Sequence, residues 1–189
     1  NGFETLVHSK LRGFEGDLRV SGQVSENDIS ELDGIEIVMP FMERRGVVED
    51  GNDQKVVSLK AVNVEKMTEF YNFPLRGNSP KISEVVIGQD LAYRLGKDVG
   101  DEIMVYSPID QSFGFGLTPK TKMTISGIFS TRILDHDDRF VFLSLHDGKK
   151  LFKRKSGLDG IDIRVVKNFN VSLLKYNLEQ KLSDSVTIK

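Results

Sequence analysis

The 189-residue chain contains no cysteine. Disulfide frameworks, cysteine-ligated zinc and thiol catalysis are therefore excluded. The absence is compatible with an oxidising compartment but does not require one. Tryptophan is also absent and only 5 prolines occur, so there is no proline-rich linker. No run approaches the roughly 18–20 consecutive apolar residues that cross a bilayer. No signal peptide is visible. Neither sign of charge dominates: 26 Lys+Arg face 28 Asp+Glu, a net charge of −2. That balance argues against non-specific nucleic-acid binding. What is present, 39% apolar and 29% charged residues, suits a folded globular chain. The length allows one domain or two small ones. The first residue is Asn1 rather than Met, which predicts a piece of a longer protein; the missing membrane span then says nothing about the parent.

Apolar periodicity predicts a short amphipathic helix over residues 3–14, with Phe3, Leu6, Val7, Leu11 and Phe14 on one face. Leu18 and Val20 alternate with polar neighbours as a short strand. Ser25 and Asp28 have capping-box spacing before a helix at 26–32, which Gly34 ends. Strands follow from Ile35 to Met42, Gly46 to Val48 and Val56 to Val62, with a turn at Glu49–Lys55. Val85–Ile87 is a buried strand, then a helix runs to Leu95 with Gly96 past its end. Glu102–Tyr106 is a strand, 107–121 a long loop or extended hairpin, and Met123–Phe129 the returning strand. Asp135–Asp138 is a polar tip. Phe140–Leu143 is a strand, and Ser144 caps a helix to Phe152, in which Gly148 costs about 1 kcal/mol against Ala. The end reads strand (Ile161, Ile163, Val165), helix at 171–182 capped by Asn170, and strand (Val186, Ile188). Strand–helix–strand units at both ends and mostly strands between make an α+β chain.

The chemistry-bearing motifs are few. Asp135-His136-Asp137-Asp138 is the one cluster resembling a hard-cation site. Four consecutive residues rarely converge on one ion, so a solvated hairpin tip is the plainer reading. No nucleophile elbow, P-loop, zinc-protease or dinucleotide motif occurs, and no catalytic residue, cofactor site or metal site is assigned. Lys149, Lys150, Lys153, Arg154 and Lys155 read either as an anion-facing patch or as a solvated helix end suited to the macrodipole. Asn170-Val171-Ser172 is a chance glycosylation sequon. The loop at 107–121 is the most informative feature, because hairpin connections usually take about 2–5 residues. It carries Phe113, Phe115 and Leu117 around Gly114 and Gly116. Folded back, these side chains are ordinary core. Projecting, they form an apolar tip of the kind that marks a binding site.

Several segments together resemble one family. Asn1–Glu4 (NGFE) resembles the end of the first membrane helix in lipoprotein-releasing permeases of the LolC and LolE type. Val86–Tyr106 (VIGQDLAYRLGKDVGDEIMVY), Ser126–Phe129 (SGIF), Phe140–Leu151 (FVFLSLHDGKKL) and Gly160–Val165 (GIDIRV) resemble segments that follow in the same order. Order and spacing together resemble the extracytoplasmic domain of MacB/FtsX-type ABC permeases. The resemblance implies a domain between the first two of four membrane spans, on the periplasmic face of the bacterial inner membrane. It implies two lobes: a porter-like β-α-β lobe from 1–66 with 157–189, its first 16 residues a helix continuing from a membrane span, and an inserted β-rich, sabre-like lobe at 67–156.

In the LolC type, a projecting hairpin called the hook captures the soluble periplasmic lipoprotein carrier LolA. Residues 108–121 match it by position. Phe113 and Pro119 align with a Phe and a Pro of the family's loop, while Gly114-Phe115-Gly116 replaces its Pro-Met tip. The implied contact residues are Phe113, Gly114, Phe115, Gly116, Leu117 and Pro119, with Pro119 stiffening the loop. The implied partners are a LolA-like carrier, a second permease subunit (homo- or heterodimer), a cytoplasmic ATPase subunit and lipoprotein cargo. The implied role is non-catalytic. The alternatives are a MacB-like export domain or an FtsX-like regulator of a cell-wall hydrolase; a small enzyme or carbohydrate-binding domain is the reading from another class.

Overall fold

The computed structural model of the chain describes residues 16–110, 119–154, 157–182 and 184–189. The helix expected over 3–14 lies outside them. In chain order the strands are β1 Leu18–Ser21, β2 Ile35–Asp50, β3 Asp53–Val62, β4 Leu75–Gly77, β5 Glu84–Gly88, β6 Glu102–Tyr106, β7 Thr121–Phe129, β8 Phe140–Ser144, β9 Gly160–Val165 and β10 Thr187–Ile188. The helices are α1 Glu26–Ser30, α2 Met67–Phe70, α3 Gln89–Leu95, α4 Leu134–Arg139, α5 Leu145–Leu151 and α6 Val171–Lys181. The chain is thus mixed α and β, and none of these helices is long and apolar enough to cross a membrane. Two compact units emerge. One combines the chain through Phe41 with Lys66–Asn72 and Gly157–Lys189; the other combines Met42–Glu65 with Phe73–Ser156.

In the first unit the strand order is β10-β1-β9-β2, all antiparallel. Leu18, Val20, Val38, Ile161, Ile163 and Val165 bury one face of these strands against Ile29 of α1 and Leu174 and Leu178 of α6. Each such side chain contributes roughly 1.5–3 kcal/mol by leaving water. The helices start where the sequence indicates. Ser25 accepts from the Asn27 amide while Asp28 accepts from the Ser25 amide, and Asn170 accepts from the Leu173 amide. Asp162 departs from simple alternation. It is 1% exposed and takes a two-pronged ion pair from Arg19, at 2.6 and 3.0 Å. The Arg19 guanidinium also lies 4.5 Å from the Phe41 ring centre. Helix α2, unforeseen from sequence, buries Met67 and Phe70 and receives the Arg164 Nε hydrogen bond on the Phe70 carbonyl.

In the second unit β3 pairs parallel with β8, β8 antiparallel with β5, β5 parallel with β7, and β7 antiparallel with β4 and β6. Phe73, Phe129 and Phe142 cluster with ring centres 4.8–5.9 Å apart. Two expectations are corrected here. The segments ending at Met42 and beginning at Gly46 are one 16-residue strand, β2. Its charged middle stays extended because Glu43 accepts from the Ser58 hydroxyl at 2.6 Å and Arg44 lies over the Phe152 ring. The turn after it is only Gly51-Asn52, with Gly51 at φ +58°.

The second correction concerns Asp135–Asp138, which is not a hairpin tip but most of α4. Asp137 is 2% exposed and accepts from the Thr131 amide and hydroxyl (both 2.7 Å), the Ser130 hydroxyl (3.0 Å) and the Arg132 amide (3.1 Å). Its neighbours take other partners: Asp138 pairs with Arg94, and Asp135 lies 3.6 Å from Arg139. Among the described residues no group of three or more His, Asp or Glu is placed to hold a metal ion.

Candidate partner-binding site

The segment singled out in the sequence, 107–121, joins β6 to β7. Alternation decides which way these strands face: Ile103 and Val105 of β6 and Met123 and Ile125 of β7 are buried. Their register runs from Glu102 opposite Thr124 to Val105 opposite Thr121. On its other side β6 pairs with β2, Val48 opposite Val105. The strands at the root of the loop are therefore held by core burial and by a ladder on each edge of β6.

Past the last paired residues, Ser107 is buried and Pro108–Asp110 form one 3₁₀ turn. Ile109 is 71% exposed. On the returning side Pro119 and Lys120 are exposed. The Lys120 ammonium reaches both oxygens of Glu49, at 2.6 and 2.7 Å, and lies 5.5 Å from the Tyr106 ring centre. Gln54 Nε2 adds a third hydrogen bond to Glu49, at 2.7 Å. The Lys120 hydrogen bond, then that of Gln54, holds the Glu49 carboxyl below its ordinary range. One strand further along, Lys122 and Glu102 form an exposed pair at 3.3 Å. Such a pair contributes about 0–1 kcal/mol.

Of the six contact residues expected from sequence, Pro119 is described, and it sits exposed at the root. Phe113, Gly114, Phe115, Gly116 and Leu117 lie outside the described residues. Lys120 and Glu49, which tie the root of the loop to β2, were not singled out from sequence. They stand 71 residues apart, so no local pattern couples them. The basic run is partly visible: Lys149 and Lys150 are exposed in the last turn of α5. Asn170, the sequon residue, spends its side chain on capping α6.

In sequence, the chain is similar to the lipoprotein-releasing system transmembrane protein LolC of Xylella fastidiosa. Identity to the protein of strain 9a5c is 26% over 122 residues, 64% of this chain and 27% of the relative. For the protein of strain Temecula1 it is 29% over 82 residues, 43% and 20%. The chain thus spans about a quarter, or less, of these curated relatives. In fold it is similar to the periplasmic region of MacB from Actinobacillus actinomycetemcomitans, with a TM-score of 0.65 at 11% identity, covering 98% of this chain and 93% of that one. It is also similar to the extracellular domain of the noncanonic ABC-type transporter YknZ from Gram-positive bacteria, with a TM-score of 0.61 at 10% identity, covering 91% and 98%. The MacB-like periplasmic core domain matches residues 1–181, and the chain belongs to that family.

Proposed function

We propose that the chain is the periplasmic domain of an inner-membrane ABC permease that releases outer-membrane lipoproteins, and that it docks a soluble LolA-like carrier through the loop at 108–121. The β6–β7 root carries this reading. Two strands held by core burial and by ladders lead into a long loop, and Ile109 and Pro119 stand exposed on its two sides. The relation to LolC supplies the class of cargo. Phe113, Phe115 and Leu117 serve as the apolar anchors, each worth roughly 1.5–3 kcal/mol when buried in the carrier. The domain itself does no chemistry; ATP is hydrolysed by a cytoplasmic partner subunit, and a second permease subunit completes the transporter. In this reading 1–66 with 157–189 form a porter-like lobe and 67–156 an inserted sabre-like one.

The test is binding of the chain to the LolA-like carrier of its own host. Micromolar or tighter binding that is lost in Phe113→Asp/Phe115→Asp, and on deleting 110–118, supports the reading. A folded wild-type chain that does not bind the carrier refutes it, and MacB-like export or FtsX-like hydrolase control then takes its place.

A further inference from the structure

Away from the loop, the second unit has an open strand edge beside a cationic groove. The β3–β8 pairing begins only at Ser58, opposite Phe140. The residues just before Phe140 coil into α4 instead of continuing the strand. Residues 53–57 of β3 therefore have β2 on one side and, among the described residues, no strand on the other. A groove of about 910 Å³ runs along this edge. Backbone amides and carbonyls on an open edge are a template for one more strand.

The lining selects the occupant. Arg44, Arg45 and Lys55 come from the two strands, and Arg94 and Arg139 from α3 and α4. Two carboxylates, Glu43 and Asp138, line the groove with these five cations, and a third, Asp135, lies 3.6 Å from Arg139 outside the lining, on a chain whose net charge is −2. Both carboxylates are engaged locally, Glu43 by Ser58 and Asp138 by Arg94. Val56 lies in the groove with 61% of its surface exposed, an apolar contact between the charges.

We infer that this groove binds an extended acidic segment of a partner protein, which adds as a strand along 53–57 and lays its carboxylates on Arg45, Lys55 and Arg139. Edge pairing supplies affinity without sequence readout, and the cations choose acidic over basic partners and set the approach. A lipid headgroup would meet the cations but make no use of the strand edge.

The experiment uses the full chain and fluorescein-labelled peptides of about eight residues. One alternates Val and Glu, one alternates Val and Lys, and one is the acidic peptide with alternate amides N-methylated. The acidic peptide is expected to bind, and the basic and N-methylated peptides to fail. Arg45→Glu/Lys55→Glu is expected to weaken binding about tenfold or more, while Lys149→Glu/Lys150→Glu, on α5, leaves it unchanged. Equal losses in the two double variants would reduce the effect to diffuse charge and overturn the proposal. So would undiminished binding of the N-methylated peptide. Binding of phosphatidylglycerol vesicles with no binding of the acidic peptide would assign the groove to lipid and also overturn it. Circular dichroism melts check both variants for folding. If Arg45→Glu/Lys55→Glu unfolds, the N-methylated arm on the wild-type chain still decides.

Discussion

Gly148 makes opposite predictions depending on whether it is read as a helix residue or as a packing contact. It lies inside α5, where Ala is favoured over Gly by about 1 kcal/mol. On propensity alone, Gly148→Ala stabilises the protein. The packing reverses the sign. A Cβ on Gly148 would stand 2.3 Å from the Ala61 Cβ on β3 and 3.1 Å from the Met42 Cε. Carbon atoms normally rest about 3.5–4.0 Å apart, so α5 would have to lift from the sheet by more than about 1 Å. Ala61 and Met42 are both 0% exposed, so no space is available for them to yield. Overpacking of this kind costs about 1–3 kcal/mol. At so short a distance the upper end applies, which leaves about 2 kcal/mol of net destabilisation after the propensity gain. Urea unfolding followed by circular dichroism should show a lower midpoint with an unchanged slope, and a melting temperature reduced by about 4–8 °C. Ala61→Gly alone costs about 1 kcal/mol through backbone entropy. Combined with Gly148→Ala it removes the clash, so the double variant should be more stable than Gly148→Ala alone. A Gly148→Ala protein as stable as wild type, or more stable, would refute the close-packing argument.

Two further predictions follow from charged groups. Arg19→Met takes the two-pronged cation away from the Asp162 carboxylate, which is 1% exposed, and should cost up to about 3–5 kcal/mol in urea unfolding. Asp162→Asn should cost less, because Arg19 keeps about a third of its side chain in solvent and can turn outward; the reverse order would overturn this account. Glu49 should titrate below the ordinary glutamate value of 4.5 in carbon-detected NMR, and Lys120→Met should raise it. Because its folded value is depressed, the link to Lys120 is intact above 4.5 and is lost as pH falls through the folded value. An unchanged Glu49 titration in Lys120→Met would remove the tie at the loop root.

What was legible in the sequence was local. Ser25 with Asp28, Gly96 and Asn170 announce helix ends through hydrogen bonds or backbone angles confined to one turn, and all stand where expected. Alternation in Ile161, Ile163 and Val165 announces a strand, because the pleat sends every second residue to the core. What was not legible depends on distant partners. Glu43-Arg44-Arg45 looks like a break until Ser58 and Phe152 are seen to hold it. Asp162 looks like an outward residue because Arg19 lies 143 positions away. Asp137 is the intermediate case. Its donors lie five to seven positions upstream, but Ser130-Thr131 before an Asp is too common a pattern to signal a buried carboxyl. At the candidate site both strands of the hairpin could be read, whereas the Lys120–Glu49 tie could not.

The order in which the chain is made bears on how the first unit forms. Strand β9 lies between β1 and β2 and pairs with both, yet it is synthesised long after them. At roughly 5–20 residues per second, the 73–156 stretch alone takes several seconds to emerge. Throughout that time both edges of β1 and one edge of β2 lack their native partners. The second unit is complete sooner, since all its segments have emerged by Ser156. During biogenesis the early strands are thus exposed to mispairing, and a chaperone that shields nascent strands would act first on the two stretches that await β9.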